Sequence, residues 1–201
     1  MIIKEESNLR FAFTEDNNVV KFDETEFYRK IFNHMPQSKG VDFLADSKEY
    51  LQFIEIKNCV GHEIENVWRT GVDNSCLSRA PRDLPMEERE SLDREVVKKV
   101  VSTIACLVGA ATEEKVTEKA QELIPFFEEI CDGKVTTNKK KIMIILFLEG
   151  DFDTYGPAGR TKKMIMQRLQ QSIKAKLKWL NCQVAVVDSD TYKDKFFQVE
   201  K

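Results

Sequence analysis

From Ile142 to Leu148, seven apolar residues follow one another without a polar break. Side chains of a β-strand alternate between two faces, so such a run is apolar on both and suits a central strand of a covered sheet. It is far shorter than the roughly 20 residues needed to cross a bilayer. The first residues after Met1 include Glu5 and Glu6, with no apolar run of the signal-peptide kind. The expectation is therefore a cytoplasmic protein with no membrane partner.

The rest of the chain supplies what would cover that strand. Residues 9–13 and 19–22 alternate as strands around the turn-forming Asp16-Asn17-Asn18. A helix is expected over about 24–33, ending before Pro36, with Phe27 and Ile31 on its apolar stripe. Strands at 41–45 and 50–57 flank the turn-like Asp46-Ser47-Lys48-Glu49. A short helix at 62–69 and a loop through Pro81 and Pro85 follow.

A long helix over about 86–111 comes next, its apolar face formed by Val96, Val97, Val100, Val101, Ile104 and Leu107. Thr112 begins another helix, which Pro125 breaks or re-nucleates before Gly133. After the apolar strand come a basic helix at about 160–180, a last strand at 182–187 and a polar tail whose Phe196 and Phe197 can tuck back. This order favours an α/β fold, a mixed central sheet flanked by helices. With 201 residues the default is one domain, 1–201, with a helical insertion at about 86–132.

Five scattered cysteines without a Cys-x-x-Cys pair suggest reduced thiols. Cys59, His62 and Cys76 make a partial zinc pattern that lacks the fourth ligand a structural site needs. Charge is unevenly distributed. Residues 1–133 carry 17 basic and 27 acidic side chains, a net of −10, whereas residues 134–178 carry 11 and 3, a net of +8. Such a division marks either a polyanion-binding face or a solvated helix facing acidic neighbours.

The stretch richest in chemistry is Val41-Asp42-Phe43-Leu44, followed by Phe53-Ile54-Glu55-Ile56-Lys57. In a strand, Phe53, Glu55 and Lys57 share one face and Ile54 and Ile56 the other. A hairpin folded about Lys48-Glu49 sets Asp42 directly opposite Glu55, about 4.5–5.5 Å apart at Cβ. Two carboxylates this close within apolar strands repel each other, and a hard divalent cation relieves the conflict. Lys57 would then stand ready to orient a water or to steady charge on a phosphate.

These residues resemble those of the PD-(D/E)xK nuclease superfamily. The resemblance rests on Asp42, the short turn and Glu55-Ile56-Lys57 framed by apolar residues, with Val41 where the family usually has proline. It implies a restriction-endonuclease-like core and cleavage of nucleic acid, DNA favoured, with Mg²⁺ or Mn²⁺. Asp42 and Glu55 would be metal ligands and Lys57 would act at the attacking water. Many members add an acidic ligand from the preceding helix, and Glu26 is the best-placed match, with Glu24 as its rival.

The basic helix offers a surface for phosphates through Arg160, Lys162, Lys163, Arg168, Lys174, Lys176 and Lys178. Its apolar stripe is Ile165, Leu169, Ile173, Leu177 and Leu180. The alternative function is that of a catalytically inactive member of the same fold, binding nucleic acid or a protein. A third reading is an interaction scaffold built on the helices of residues 86–131.

Overall fold

The computed structural model describes residues 1–112, 118–131, 135, 139–192 and 196–200. The apolar run forms strand β6 (Lys141–Glu149), in which every residue after Lys141 is buried. It is the fourth strand of a five-stranded sheet ordered β3-β4-β5-β6-β7. The others are β3 (Asn18–Lys21), β4 (Phe43–Asp46), β5 (Tyr50–Asn58) and β7 (Gln183–Val187). β3, β4 and β5 pair antiparallel, and β5, β6 and β7 pair parallel, so the mixed sheet expected from the element order is present.

One face of this sheet carries helices. α1 (Glu26–Lys30), α3 (Leu92–Ala111), α4 (Ile124–Cys131) and α6 (Lys162–Lys176) belong to this layer, and two single turns, α2 (Glu63–Asn66) and α5 (Phe152–Tyr155), lie in connecting loops. Leu44, Leu51, Phe53, Ile144, Leu146 and Leu148 point into this layer, where Val96, Val100 and Leu107 of α3 and Ile165, Leu169 and Ile173 of α6 meet them. The stripe expected along α6 is buried as its spacing requires. On α3, Val101 faces solvent, and Leu92, Cys106 and Ala110 complete the buried side.

The opposite face is covered by a second sheet ordered β1-β2-β8: β1 (Ile2–Glu6), β2 (Leu9–Phe13) and β8 (Gln198–Glu200). Phe11 of β2 packs edge-on against Phe147 of β6 at 5.5 Å and against Phe197 at 5.4 Å. The tail is therefore a structural element. Val199 pairs with Phe11 in the small sheet, and Phe197 is 2% exposed in the core between the sheets. Phe197 covers Phe11, Phe13 and Phe147 together, and these aromatic contacts hold the tail against the core.

Several boundaries shift. The helix expected at 24–33 is the short α1 between two 3₁₀ turns, Phe22–Glu24 and Phe32–His34. α3 begins at Leu92, after a 3₁₀ turn at Met86–Glu88, because Arg89 and Ser91 are extended. Pro125 re-nucleates, lying second in α4, and the helix start expected after Thr112 and Gly133 lie outside the described residues. Among the described residues no helix is long and apolar enough to cross a membrane.

One close approach seats the start of β4. A Cβ on Gly40 would meet the fully buried ring of Phe22 at 2.5 Å. Phe22 also donates its N–H to the Asp42 carbonyl at 2.8 Å, so ring and backbone fix the segment together. Gly40→Ala should lower stability by about 1–3 kcal/mol through overpacking. Urea unfolding checks this, and an unchanged midpoint would show that the Phe22 ring is not confined.

Candidate active site

The hairpin of β4 and β5 folds in the register expected. Phe43 pairs with Ile54, and the Asp42 N–H donates to the Ile54 carbonyl at 3.1 Å. The direct opposition of Asp42 to Glu55 expected from that register is not formed: the ladder ends at Phe43, and the Asp42 N–H to Ile54 bond is one residue out of it, so the strand bulges at Asp42. The Asp42 side chain reaches β5 instead through Oδ2, which accepts from the Ile56 N–H at 2.6 Å. On the other side, the Val41 N–H donates to Thr103 Oγ1 of α3 at 3.1 Å. Asp42 is thus tied to strand and helix at once, leaving Oδ1 as the oxygen that turns toward a cation.

Glu55 lies on the helical side of the sheet and is 1% exposed. Its Oε1 accepts from Lys57 Nζ at 2.9 Å and from Lys99 Nζ of α3 at 2.7 Å. Lys99 also reaches Asp42 Oδ1 at 3.4 Å, so one ammonium lies between the two carboxylates. Lys57 continues to Glu95 of α3 at 3.3 Å, and Glu95 is closed off by the Arg69 guanidinium. The cluster therefore holds Asp42, Glu55 and Glu95 against Lys57, Lys99 and Arg69. Its charges cancel, as burial of so many ions requires.

The environments separate the acids. Burial pushes the Glu55 carboxyl up, to about 7, against the pull of the Lys57 ammonium. Burial also raises Asp42, opposed by Lys99 and the Ile56 N–H. At Glu95 burial is outweighed by Lys57 and Arg69, which hold the carboxyl down to about 2. The carboxylates raise both ammoniums despite their burial, so Lys57 and Lys99 are cationic at neutral pH.

Asp42, Glu55 and Lys57, three of the residues singled out in the sequence, converge. Glu26 does not join them. It projects from α1 with its side chain about half exposed and accepts from Lys30 at 2.6 Å. Glu24 is likewise exposed and pairs with Lys21 at 2.9 Å. α1 is too short to carry its acids across the sheet end, and the additional carboxylate beside Lys57 comes from α3 instead. Glu95, Lys99 and Arg69 had no sequence signal, because each acts across 25 or more residues of intervening chain.

The basic helix divides in two. Lys162 is committed to Asp188 at 2.6 Å and approaches Glu149 at 3.9 Å. Lys176 is committed to Asp73 at 2.6 Å and to the fully buried Asp93 at 2.8 Å. Lys163, Arg168, Lys174 and Lys178 are exposed, and Arg160 is half-buried. Glu149 pairs in register with Asn58, the neighbour of Lys57. The beginning of α6 therefore lies at the same sheet edge as the carboxylates, and Lys174 and Lys178 lie toward the opposite one. That edge, at the carboxyl ends of parallel strands, is where open α/β sheets bind ligands.

A family described as "Family of unknown function (DUF6661)" matches residues 25–201. The chain belongs to this family. The DUF6661 match takes in β4, β5, α3 and α6, and with them every residue of the cluster. Neither a curated protein nor a solved structure matches the chain.

Whether these groups suit a divalent ion can be judged from the donors themselves. Glu55 Oε2 is buried and has no hydrogen-bond partner among the described residues. Together with Asp42 Oδ1 it provides hard anionic oxygens on adjacent strands. Among the described residues no three His, Cys, Asp or Glu side chains are grouped as ligands. Two carboxylates are too few for a closed protein cage, and a hydrated ion such as Mg²⁺ is the kind that takes so few.

Glu95 offers a clean pH test. Its carboxyl is held below the ordinary 4.5, so its stabilisation is present above pH 4.5 and is lost as pH falls toward 2. Glu95→Gln should cost about 2–3 kcal/mol at pH 7, and the gap to wild type should narrow below pH 4.5. Urea titrations at pH 7 and pH 3.5 measure it. An equal gap at both would show that the Glu95 charge is not what Lys57 and Arg69 hold.

Proposed function

We propose that the chain is a metal-dependent nuclease of the PD-(D/E)xK kind, hydrolysing phosphodiester bonds of nucleic acid, with DNA the favoured substrate. One observation carries the reading: Asp42 and Glu55 meet on adjacent strands around a single cation, with Lys57 on the same face. The sheet order β3-β4-β5-β6-β7, antiparallel and then parallel, is consistent with a restriction-endonuclease-like core in which α3 and α4 form the helical insertion.

In this reading Asp42 Oδ1 and Glu55 hold Mg²⁺ or Mn²⁺. Such an ion supplies Lewis-acid stabilisation of charge developing on the phosphate. Lys57 stands beside Glu55, where its ammonium orients the attacking water and steadies the scissile phosphate. Glu95, fixed by Arg69, keeps the Lys57 stem aimed at Glu55. Exposed cations on α6, Lys163 nearest the site edge, lead the polymer in by phosphate contacts that carry no sequence information.

A second reading is favoured by the charge balance of the cluster. Three carboxylates already matched by three cations form a stable unit without a metal, as in a non-catalytic member of the same fold that binds nucleic acid or a protein through its surface.

Cleavage assays separate the two. With Mg²⁺ or Mn²⁺ the purified chain should cut a DNA or RNA substrate, and EDTA should abolish the cutting. Lys57→Ala should slow it by about 100-fold or more, the usual effect of losing a group that acts in proton transfer. Equal rates for the two proteins would assign the activity to a contaminant. Cleavage by neither, across both metals, would favour the binding module.

A further inference from the structure

Lys99 is the one member of the cluster that the proposed chemistry does not use, although it makes the shortest contact to Glu55. Its ammonium is 2.7 Å from Glu55 Oε1 and 3.4 Å from Asp42 Oδ1. Glu55 Oε1 already has a donor in Lys57 at 2.9 Å, so Lys99 adds a second cation to that oxygen while Oε2 stays without any. A residue present only to neutralise Glu55 has no need to lean toward Asp42 as well. Asp42 Oδ2 is committed to the Ile56 N–H, so Oδ1 is the oxygen it turns toward a cation. A monovalent ammonium thus lies between the two carboxylates that would hold a divalent ion.

We propose that Lys99 is a resident competitor for the divalent ion: its ammonium holds Asp42 and Glu55 together in the metal-free protein and must withdraw for an ion to bind. This rests on the two-carboxylate metal reading above. Asp42 and Glu55 cannot serve both cations at one position, because like charges in so dry a site repel strongly. The four-carbon stem of lysine lets the ammonium move without moving α3. The result is a site with modest ion affinity that stays assembled when empty.

Mn²⁺ titration followed by electron paramagnetic resonance, with no nucleic acid present, tests this. Lys99→Met keeps the stem and removes the competitor, and should bind Mn²⁺ about tenfold or more tightly than wild type, within the range by which neighbouring groups tune metal sites. Without metal the same variant should melt lower than wild type, and Mn²⁺ should raise its melting temperature more. Lys99→Arg, which keeps the charge, should stay near wild-type affinity and guards against a fold defect in Lys99→Met. Asp42→Asn should lose Mn²⁺ binding in either background. Lys99→Met affinity equal to or weaker than wild type, with Asp42→Asn still abolishing binding, would overturn the competitor role and leave the metal reading standing. No Mn²⁺ binding by wild type or Lys99→Met at millimolar ion would overturn both, and make Lys99 a structural ion-pair partner.

Discussion

The pairing of β4 with β5 holds the candidate site together, and it does so by register. Side chains alternate faces along a strand, so a slip of one residue would send Asp42 and Glu55 to opposite sides of the sheet. Three contacts prevent that slip. Phe43 and Ile54 pair in the ladder, the Asp42 carboxylate caps the Ile56 N–H, and α3 receives the Val41 N–H through Thr103. The register then forces two buried carboxylates together, and the surrounding residues answer that cost. Lys57 comes from the same strand, Lys99 and Glu95 from α3, and Arg69 from the loop ahead of it.

α3 is accordingly more than an insertion over the sheet. Its first turn is anchored by Asp93, fully buried, which accepts from Ser91, from Ser172 and Lys176 of α6, and from the Asp73 backbone. Glu95 lies two residues further along, and Lys99 one helical turn beyond that, on the side facing Asp42 and Glu55. One helix thus joins the basic helix α6 to the carboxylate pair within the same layer above the sheet.

Much of this was legible in the chain because it is local. The apolar run of β6, the two-residue alternation of β5 and the turn at 46–49 set the sheet and bring Asp42 and Glu55 to one place. What escaped depends on distance. β8 rests on pairing with β2 from the other end of the chain, which no periodicity in three residues announces. Glu26 was a natural choice for a third carboxylate by its place ahead of the hairpin. α1 is a short helix that ends in solvent, and Glu95 takes the position beside Lys57 from 40 residues downstream of Glu55. Lys162 and Lys176 read as members of a basic face, yet each is neutralised by acids that only the fold brings near.

The central claim is that Asp42 and Glu55 form a divalent-ion site, and crystals grown with Mn²⁺ test it most directly. Anomalous scattering should place one manganese between Asp42 Oδ1 and the Glu55 carboxylate, at about the 2.0–2.2 Å expected for hard-oxygen coordination. The Lys99 ammonium should be drawn back from both. A map with no peak there, and Lys99 still bridging the carboxylates at saturating Mn²⁺, would contradict it.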